Sequence, residues 1–342
     1  MDRTIRYSEI ATYLRCKRQW HYRYRLGLVP RVQHERLDLG TAGHKAIETV
    51  LLGGSREQAV RAAVDWLVGR VKDAGVMAPF GEDRAIDLAV GVAEAGVNAL
   101  EKIGYSRPAS LNGEPLVEKT CIVQIRPGLF IRGTADEVLE MKDGYTMVAD
   151  NKFRAAFRSS ATEPLNLQMG TYQCLLWRLG VETHGSMQLQ INREPPKIPK
   201  MTAKGTMSRA ACATTWEVYA QACEDNGLDP QDYVDMRDKL KYRPFDSSVR
   251  AYRSRLELES LWEKTLVPLC EEIAEAHKAT DRNDGRCFIS EVCSSCEMKE
   301  LCIEEMKGGD AEYVQIANFR HEGEEASSAP PEFIFDDEED YE

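Results

Sequence analysis

LVEKTCIVQIR, residues 116–126, and the longer stretch 129–150 alternate apolar and polar side chains, with turn pairs at Pro127-Gly128 and Asp143-Gly144. A period of two marks strands with one buried face, so the middle of the chain reads as a hairpin sheet. On either side the period lengthens. Residues 44–52, 57–72 and 82–103 space Ala, Val, Leu and Ile at helical intervals, and 163–179 (EPLNLQMGTYQCLLWRL) does so again. Residues 186–191 (SMQLQI) read as a short strand, 193–206 as a loop, and about 208–280 as helices broken near Pro230 and Pro244. A strand–helix–strand unit surrounded by helices implies an α/β core. With 342 residues and 43% apolar content, the chain can bury one large domain or two modest ones.

The net charge of -12 argues at first against an anionic partner, but it is unevenly distributed. Residues 320–342 carry -9, leaving only -3 for the other 319. Residues 15–36 hold seven Lys or Arg against Glu35, and residues 237–255 hold seven against Asp238 and Asp246. Interleaved Trp20, Tyr22, Tyr24, Tyr242 and Tyr252 suit phosphate contact with base stacking, although ordinary solvated helix faces look similar. The acidic end, FIFDDEEDYE, reads as a disordered tail or a hook for a protein partner. No signal-peptide pattern or membrane-length apolar run occurs, so a cytoplasmic location is expected, with no membrane partner. No G-x-x-x-x-G-K-[ST] sequence occurs, so no nucleotide-driven motor is expected.

Chemistry concentrates on the strands. In GTADEVLEMKDGYTMVADNKF, residues 133–153, a hairpin would bring Asp136 close to Asp150-Asn151-Lys152. Carboxylates brought together favour a hard cation such as Mg²⁺ or Mn²⁺. Asp150 and Lys152, two apart on a strand, share a face, so the ammonium can lie beside a metal-bound water. The backbone carbonyl of Asn151 is a further candidate ligand. GTAGHKAIE, residues 40–48, sets His44 and Glu48 four apart on a helix, after glycines that permit close backbone approach. Gln168 and Tyr172 are spaced four apart on the helix after the second strand. Taken singly, each of these pieces has a bland structural reading.

In this order, G-x-x-H-x-x-x-E, G-T-A-D, D-x-K and Q-x-x-x-Y over residues 40–172 resemble the RecB-like branch of the PD-(D/E)xK nuclease superfamily. The resemblance implies a restriction-endonuclease-like core, a central mixed sheet flanked by helices, with helical insertions. It implies that His44, Asp136 and Asp150 hold the divalent metal and that Lys152 assists catalysis. Gln168 and Tyr172 would then stand at the DNA, with Glu48 in support.

Ten cysteines in a reducing compartment are better read as ligands or buried thiols than as disulfides. Cys293-x-x-Cys296 and Cys302 supply three soft ligands within ten residues, for zinc or an iron–sulfur cluster. One lone upstream cysteine plus this group resembles the iron–sulfur clasp of the AddB and CRISPR-associated exonucleases of that branch. The resemblance implies a [4Fe-4S] cluster on Cys16, Cys293, Cys296 and Cys302, with Cys287 the rival fourth ligand. The clasp would join ends 277 positions apart, where closure is entropically costly. The expected organisation is a basic N-terminal helix (1–36), a nuclease core (37–192), a helical, DNA-binding insertion (193–280), an iron–sulfur segment (281–319) and an acidic tail (320–342). The expected function is metal-dependent exonucleolytic cleavage of single-stranded DNA or DNA ends, in phage or prokaryotic recombination. The alternative is a DNA-end-binding accessory protein with a structural cluster.

Overall fold

The computed structural model describes residues 2–31, 35–73, 82–157, 160–279 and 285–323. The chain starts with β1 (Arg3–Arg6), α1 (Tyr7–Arg15), α2 (Lys17–Trp20) and β2 (Leu28–Pro30). A helical layer follows: α3 (Glu35–Leu51), α4 (Arg56–Asp73) and α5 (Glu82–Lys102). Next come β3 (Tyr105–Pro108), a ribbon of β4 (Ser110–Leu111) and β5 (Glu114–Pro115), and then β6 (Val117–Arg126), β7 (Leu129–Met141) and β8 (Thr146–Arg154). After α6 (Leu167–Arg178) and β9 (Gly185–Asn192) run α7 (Trp216–Asp225), β10 (Phe245–Tyr252), α8 (Arg255–Leu261) and α9 (Val267–Lys278). The C-terminal segment holds α10 (Ser290–Ser294), α11 (Lys299–Lys307), α12 (Ala311–Asn318) and β11 (Phe319–His321).

The two expected turns close the hairpins, with Gly128 and Gly144 at φ of 76° and 87°, where an L side chain is strained. The mixed sheet runs β1-β7-β8-β9-β10, with β3 and β6 also pairing with β7. β1 runs parallel to the start of β7, as far as Arg6 opposite Arg132. β8 takes over from Glu137, opposite Ala149. Between these registers the sheet forks. Gly133–Ala135 are paired to β6, but among the described residues neither β1 nor β8 pairs with positions 133–136.

One face of the sheet is covered by α1, α6, α8 and α9 around Ile10, Trp20, Ile131, Leu175 and Trp262. The other face buries Leu139, Met147, Met187 and Leu189 against α3 and α5. The fold is therefore the expected helix-flanked mixed sheet. Residues 245–252, read from sequence as helical, are instead strand β10, antiparallel to β9. Val249 and Ala251 turn inward while Ser248 and Tyr252 stay exposed, so pairing to the β9 edge overrides a weak local pattern. Of the rest of 208–244, only α7 is α-helical, and Pro230–Lys239 form 3-10 turns. The insertion reading of 193–280 thus includes one strand of the central sheet.

The N-terminal helices pack against the segment that follows α9. β2 pairs with β11, and Tyr22, Leu28, Met298, Leu301 and Phe319 form a small core. Buried Glu9 accepts from Trp20 at 3.2 Å, from His277 at 2.8 Å and from Arg3 at 2.9 Å, tying α1 to α9. Glu305 binds Arg18, Arg286 and the Tyr22 hydroxyl, and Glu272 binds Lys17 and Tyr13. These contacts occupy Lys17, Arg18, Trp20 and Tyr22 within the fold. Trp20 and Tyr22 are 1% exposed, so neither offers a face for stacking. Of the acidic tail, residues 324–342 lie outside the described residues.

Candidate active site

The fork in the sheet assembles the predicted carboxylates. Asp136 sits on β7 just before its pairing with β8 begins, and its Oδ2 accepts from the Asn151 backbone N–H at 2.7 Å, a side chain bridging to β8 ahead of the ladder. α3 brings His44 Nδ1 to 3.4 Å from Asp136 Oδ2. The helix can approach because Gly43 lies against Phe153; a Cβ there would fall 2.2 Å from the ring. Gly40 has nothing within 4 Å of such a Cβ, so only the second glycine serves close approach. Along β8, Lys152 Nζ donates to Asp150 Oδ1 at 2.7 Å. From α6, Gln168 Nε2 lies 3.4 Å from the same oxygen and 3.1 Å from the Tyr172 hydroxyl. Gly133 makes room for Tyr172, whose ring atoms a Cβ would meet at 2.7 Å.

Two acids join that the sequence did not suggest. Glu118 Oε1 lies 3.5 Å from His44 Nδ1, and one ligand atom each from His44, Glu118 and Asp136 falls within a 4.8 Å group. Glu118 reaches it from β6 with φ of 46°, a strained left-handed conformation for a non-glycine residue. Nothing in LVEKTC signals that distortion. Glu137, 1% exposed, accepts from Asn151 Nδ2 at 2.8 Å. Asn151 therefore braces Asp136 through its amide N–H and Glu137 through its side chain. Glu48 is not drawn in; its carboxylate pairs with Lys45 at 2.7 Å.

The electrostatics fit a cation. Burial, reinforced by Asp150, pushes the Asp136 carboxyl up to about 7. Burial and Asp136 hold Glu137 well above the carboxylate range. Burial disfavours charge on His44, but Glu118 and Asp136 more than offset it and raise the imidazole to about 9. Asp150 is 1% exposed, and its Oδ2 is buried with no hydrogen-bond partner among the described residues. Unpaired carboxylate oxygen beside crowded acids is the donor chemistry a hard divalent ion satisfies.

Arg253 supports α6 from behind. It donates to Gln173 Oε1 at 2.8 Å, Ser186 Oγ at 3.0 Å and the carbonyls of Glu163, Pro164 and Asn166 at 3.1–3.3 Å. The basic stretch 237–255 is thus partly structural. Arg243 pairs with Asp246, Lys239 with Asp235 and Arg255 with Glu259.

Cys16, Cys287, Cys293, Cys296 and Cys302 line one cavity of about 260 Å³ where α2 meets the C-terminal segment. None of the five is in a disulfide. Cys287 and Cys293 sulfurs are 3.7 Å apart, and Cys16 Sγ lies 3.8 Å from the Gly285 carbonyl. Among the described residues no three of these sulfurs form a group within 4.8 Å of one another. Both candidates for the fourth ligand, Cys16 and Cys287, border the cavity.

No described helix is long and apolar enough to cross a membrane. The comparison with curated proteins returns no match. The family model of the PD-(D/E)XK nuclease superfamily matches residues 5–303, a span that holds the forked sheet, the acidic centre, Lys152 and all five clustered cysteines. The chain belongs to the PD-(D/E)XK nuclease superfamily, and its chemistry is that of a metal-dependent nuclease.

Proposed function

We propose that this nuclease is a DNA exonuclease acting on single strands or DNA ends, of the iron–sulfur RecB-like type, in phage or prokaryotic recombination. The observation that carries the reading is the buried, unpartnered Asp150 Oδ2 beside Asp136, His44 and Lys152 at the fork of the sheet. His44, Asp136 and Asp150 would hold Mg²⁺ or Mn²⁺, with Glu118 completing the set and the Asn151 carbonyl as a further oxygen donor. Such an ion supplies Lewis-acid charge at the phosphate and acidifies a bound water. Lys152 keeps its ammonium against Asp150 and can orient that water or offset charge gathering on the phosphate oxygens. Gln168 and Tyr172 offer an amide and a hydroxyl to the substrate from α6. Cys16, Cys293, Cys296 and Cys302 would hold a [4Fe-4S] cluster with a structural role.

The test uses anaerobically prepared protein, end-labelled linear and circular single-stranded DNA, and Mg²⁺ or Mn²⁺. Linear strands should be degraded from an end while circles persist. Asp136→Asn, Asp150→Asn and Lys152→Ala should each abolish cleavage and leave DNA binding largely intact. Wild-type-like cleavage by any two of them overturns the assignment.

A further inference from the structure

The chain that leaves β9 carries cations without carboxylate partners. Residues 193–209 hold five Lys or Arg against Glu194, whereas residues 216–238 hold seven Asp or Glu against Arg237. Charge within the insertion is thus segregated along the chain. Lys197, Lys200, Lys204 and Lys241 are all exposed. Backbone bonds from Lys197 to the Ala213 carbonyl at 2.9 Å and from Lys241 to the Cys212 carbonyl at 3.0 Å set those two lysines on either side of residues 212–213. Among the described residues none of the four lysines has a carboxylate within 4.0 Å. Their neighbours are paired: Arg193 with Glu194, Arg209 and Lys239 with Asp235, and Arg243 with Asp246.

Three of these lysines stand on or beside a braced hairpin. Ser208 N–H donates to the Lys200 carbonyl at 3.0 Å, Met201 bridges to Met207, and the Thr202 N–H donates to the Thr206 carbonyl at 2.8 Å, with Lys204 at the tip. Met207, 1% exposed, seats the hairpin in a small core with Tyr219, Tyr233 and Met236, and its N–H donates to the Tyr233 hydroxyl at 3.1 Å. The other limb faces solvent, with Ile198 and Met201 both exposed. No aromatic residue occurs between positions 193 and 213, so the arm can hold phosphates but has no platform for unstacked bases. A narrow, lysine-bearing hairpin suits the double helix, which presents one phosphate charge per about 1.7 Å and grooves that admit a ribbon. The root of the arm lies near the acidic centre. Arg193 N–H donates to the Arg154 carbonyl at 3.1 Å, and Arg154 stands four residues along β8 from Asp150, about 13 Å or roughly four base-pair steps.

Resting on the nuclease reading above, we infer that residues 197–206 form a duplex-holding arm: Lys197, Lys200, Lys204 and Lys241 bind backbone phosphates of the double helix adjoining the end that is cut. The test measures binding of a labelled blunt hairpin duplex and of a labelled oligothymidylate over a salt series, with cleavage blocked by EDTA. Lys200→Gln and Lys204→Gln should each lower the salt slope on the hairpin duplex by about 0.9, one duplex phosphate contact, and weaken its binding about five- to tenfold at roughly 0.1 M salt. Lys200→Arg should keep the affinity. Oligothymidylate binding should be unchanged in every variant. Lys142→Gln removes the same charge from the exposed turn between β7 and β8 and should leave both probes bound as in wild type. Wild-type duplex affinity and slope in both arm variants, or an equal loss on oligothymidylate or in Lys142→Gln, overturns the inference even if labelled strands are still cut. So does a wild-type protein that binds no duplex. A protein that holds the duplex through these lysines yet cuts no DNA overturns the nuclease reading and leaves the arm standing.

Discussion

Two glycines of α3, three residues apart, should respond to alanine with opposite signs. At Gly40 a Cβ meets nothing within 4 Å, so Gly40→Ala gains helix propensity and should stabilise by about 0.5–1 kcal/mol. At Gly43 the same methyl would lie 2.2, 2.5 and 2.6 Å from three atoms of the Phe153 ring. Carbon atoms pack at about 3.5 Å, so the ring or the helix must retreat by about 1.3 Å. Overpacking of this kind costs about 1–3 kcal/mol, more than the helical gain, so Gly43→Ala should be destabilised by about 1–2 kcal/mol net. The larger effect is on the site. Retreat of α3 carries His44 away from Asp136, now 3.4 Å distant, and Mn²⁺ affinity should fall about tenfold, as when a ligand's support is lost. Denaturant unfolding and Mn²⁺ titration calorimetry measure the two effects. Phe153→Leu in the Gly43→Ala background should recover part of both. The reasoning fails if Gly43→Ala matches Gly40→Ala in stability and keeps wild-type metal affinity.

Arg253→Lys should behave like Arg253→Gln, because five acceptors around one planar fork cannot be served by an ammonium. Both should lose about 2–3 kcal/mol of stability and at least tenfold in cleavage rate as Gln168 shifts, read by denaturant unfolding and single-turnover kinetics. Burial raises the Glu9 carboxyl, but His277, Arg3 and Trp20 outweigh it and hold it below its ordinary 4.5. Its stabilisation is therefore complete above that pH and lost as pH falls through the depressed value, an acid step in unfolding curves that Glu9→Gln should remove, at a cost of about 2–4 kcal/mol near neutrality. With a [4Fe-4S] cluster the anaerobic protein should be brown and carry about four irons per chain. Cys16→Ser should bleach it and Cys287→Ser should change little; the opposite pattern in visible absorption assigns the fourth ligand to Cys287.

What the sequence by itself determined lies within single elements. Alternation and two turn glycines located β6, β7 and β8, and the two-residue period of Asp150 and Lys152 placed both on one face, where they meet at 2.7 Å. The four-residue spacing of Gln168 and Tyr172 likewise foretold a contact one helical turn long. Tertiary structure decided what depends on distant strands and helices. β10 forms because the edge of β9 needs a partner, which no window around FDSSVRAY displays. Glu118 enters the centre through a left-handed residue on β6, and Glu48, correctly spaced from His44, turns to Lys45 instead. Arg18, Trp20 and Tyr22 look like a nucleic-acid surface until α9 covers Trp20 and the C-terminal segment covers Arg18 and Tyr22, whereas Arg15 and Arg132 line one groove only because β1 and β8 leave β7 at different points. Local periodicity records which way a side chain points; whether it meets solvent, an ion or another chain segment is set by packing between residues hundreds of positions apart.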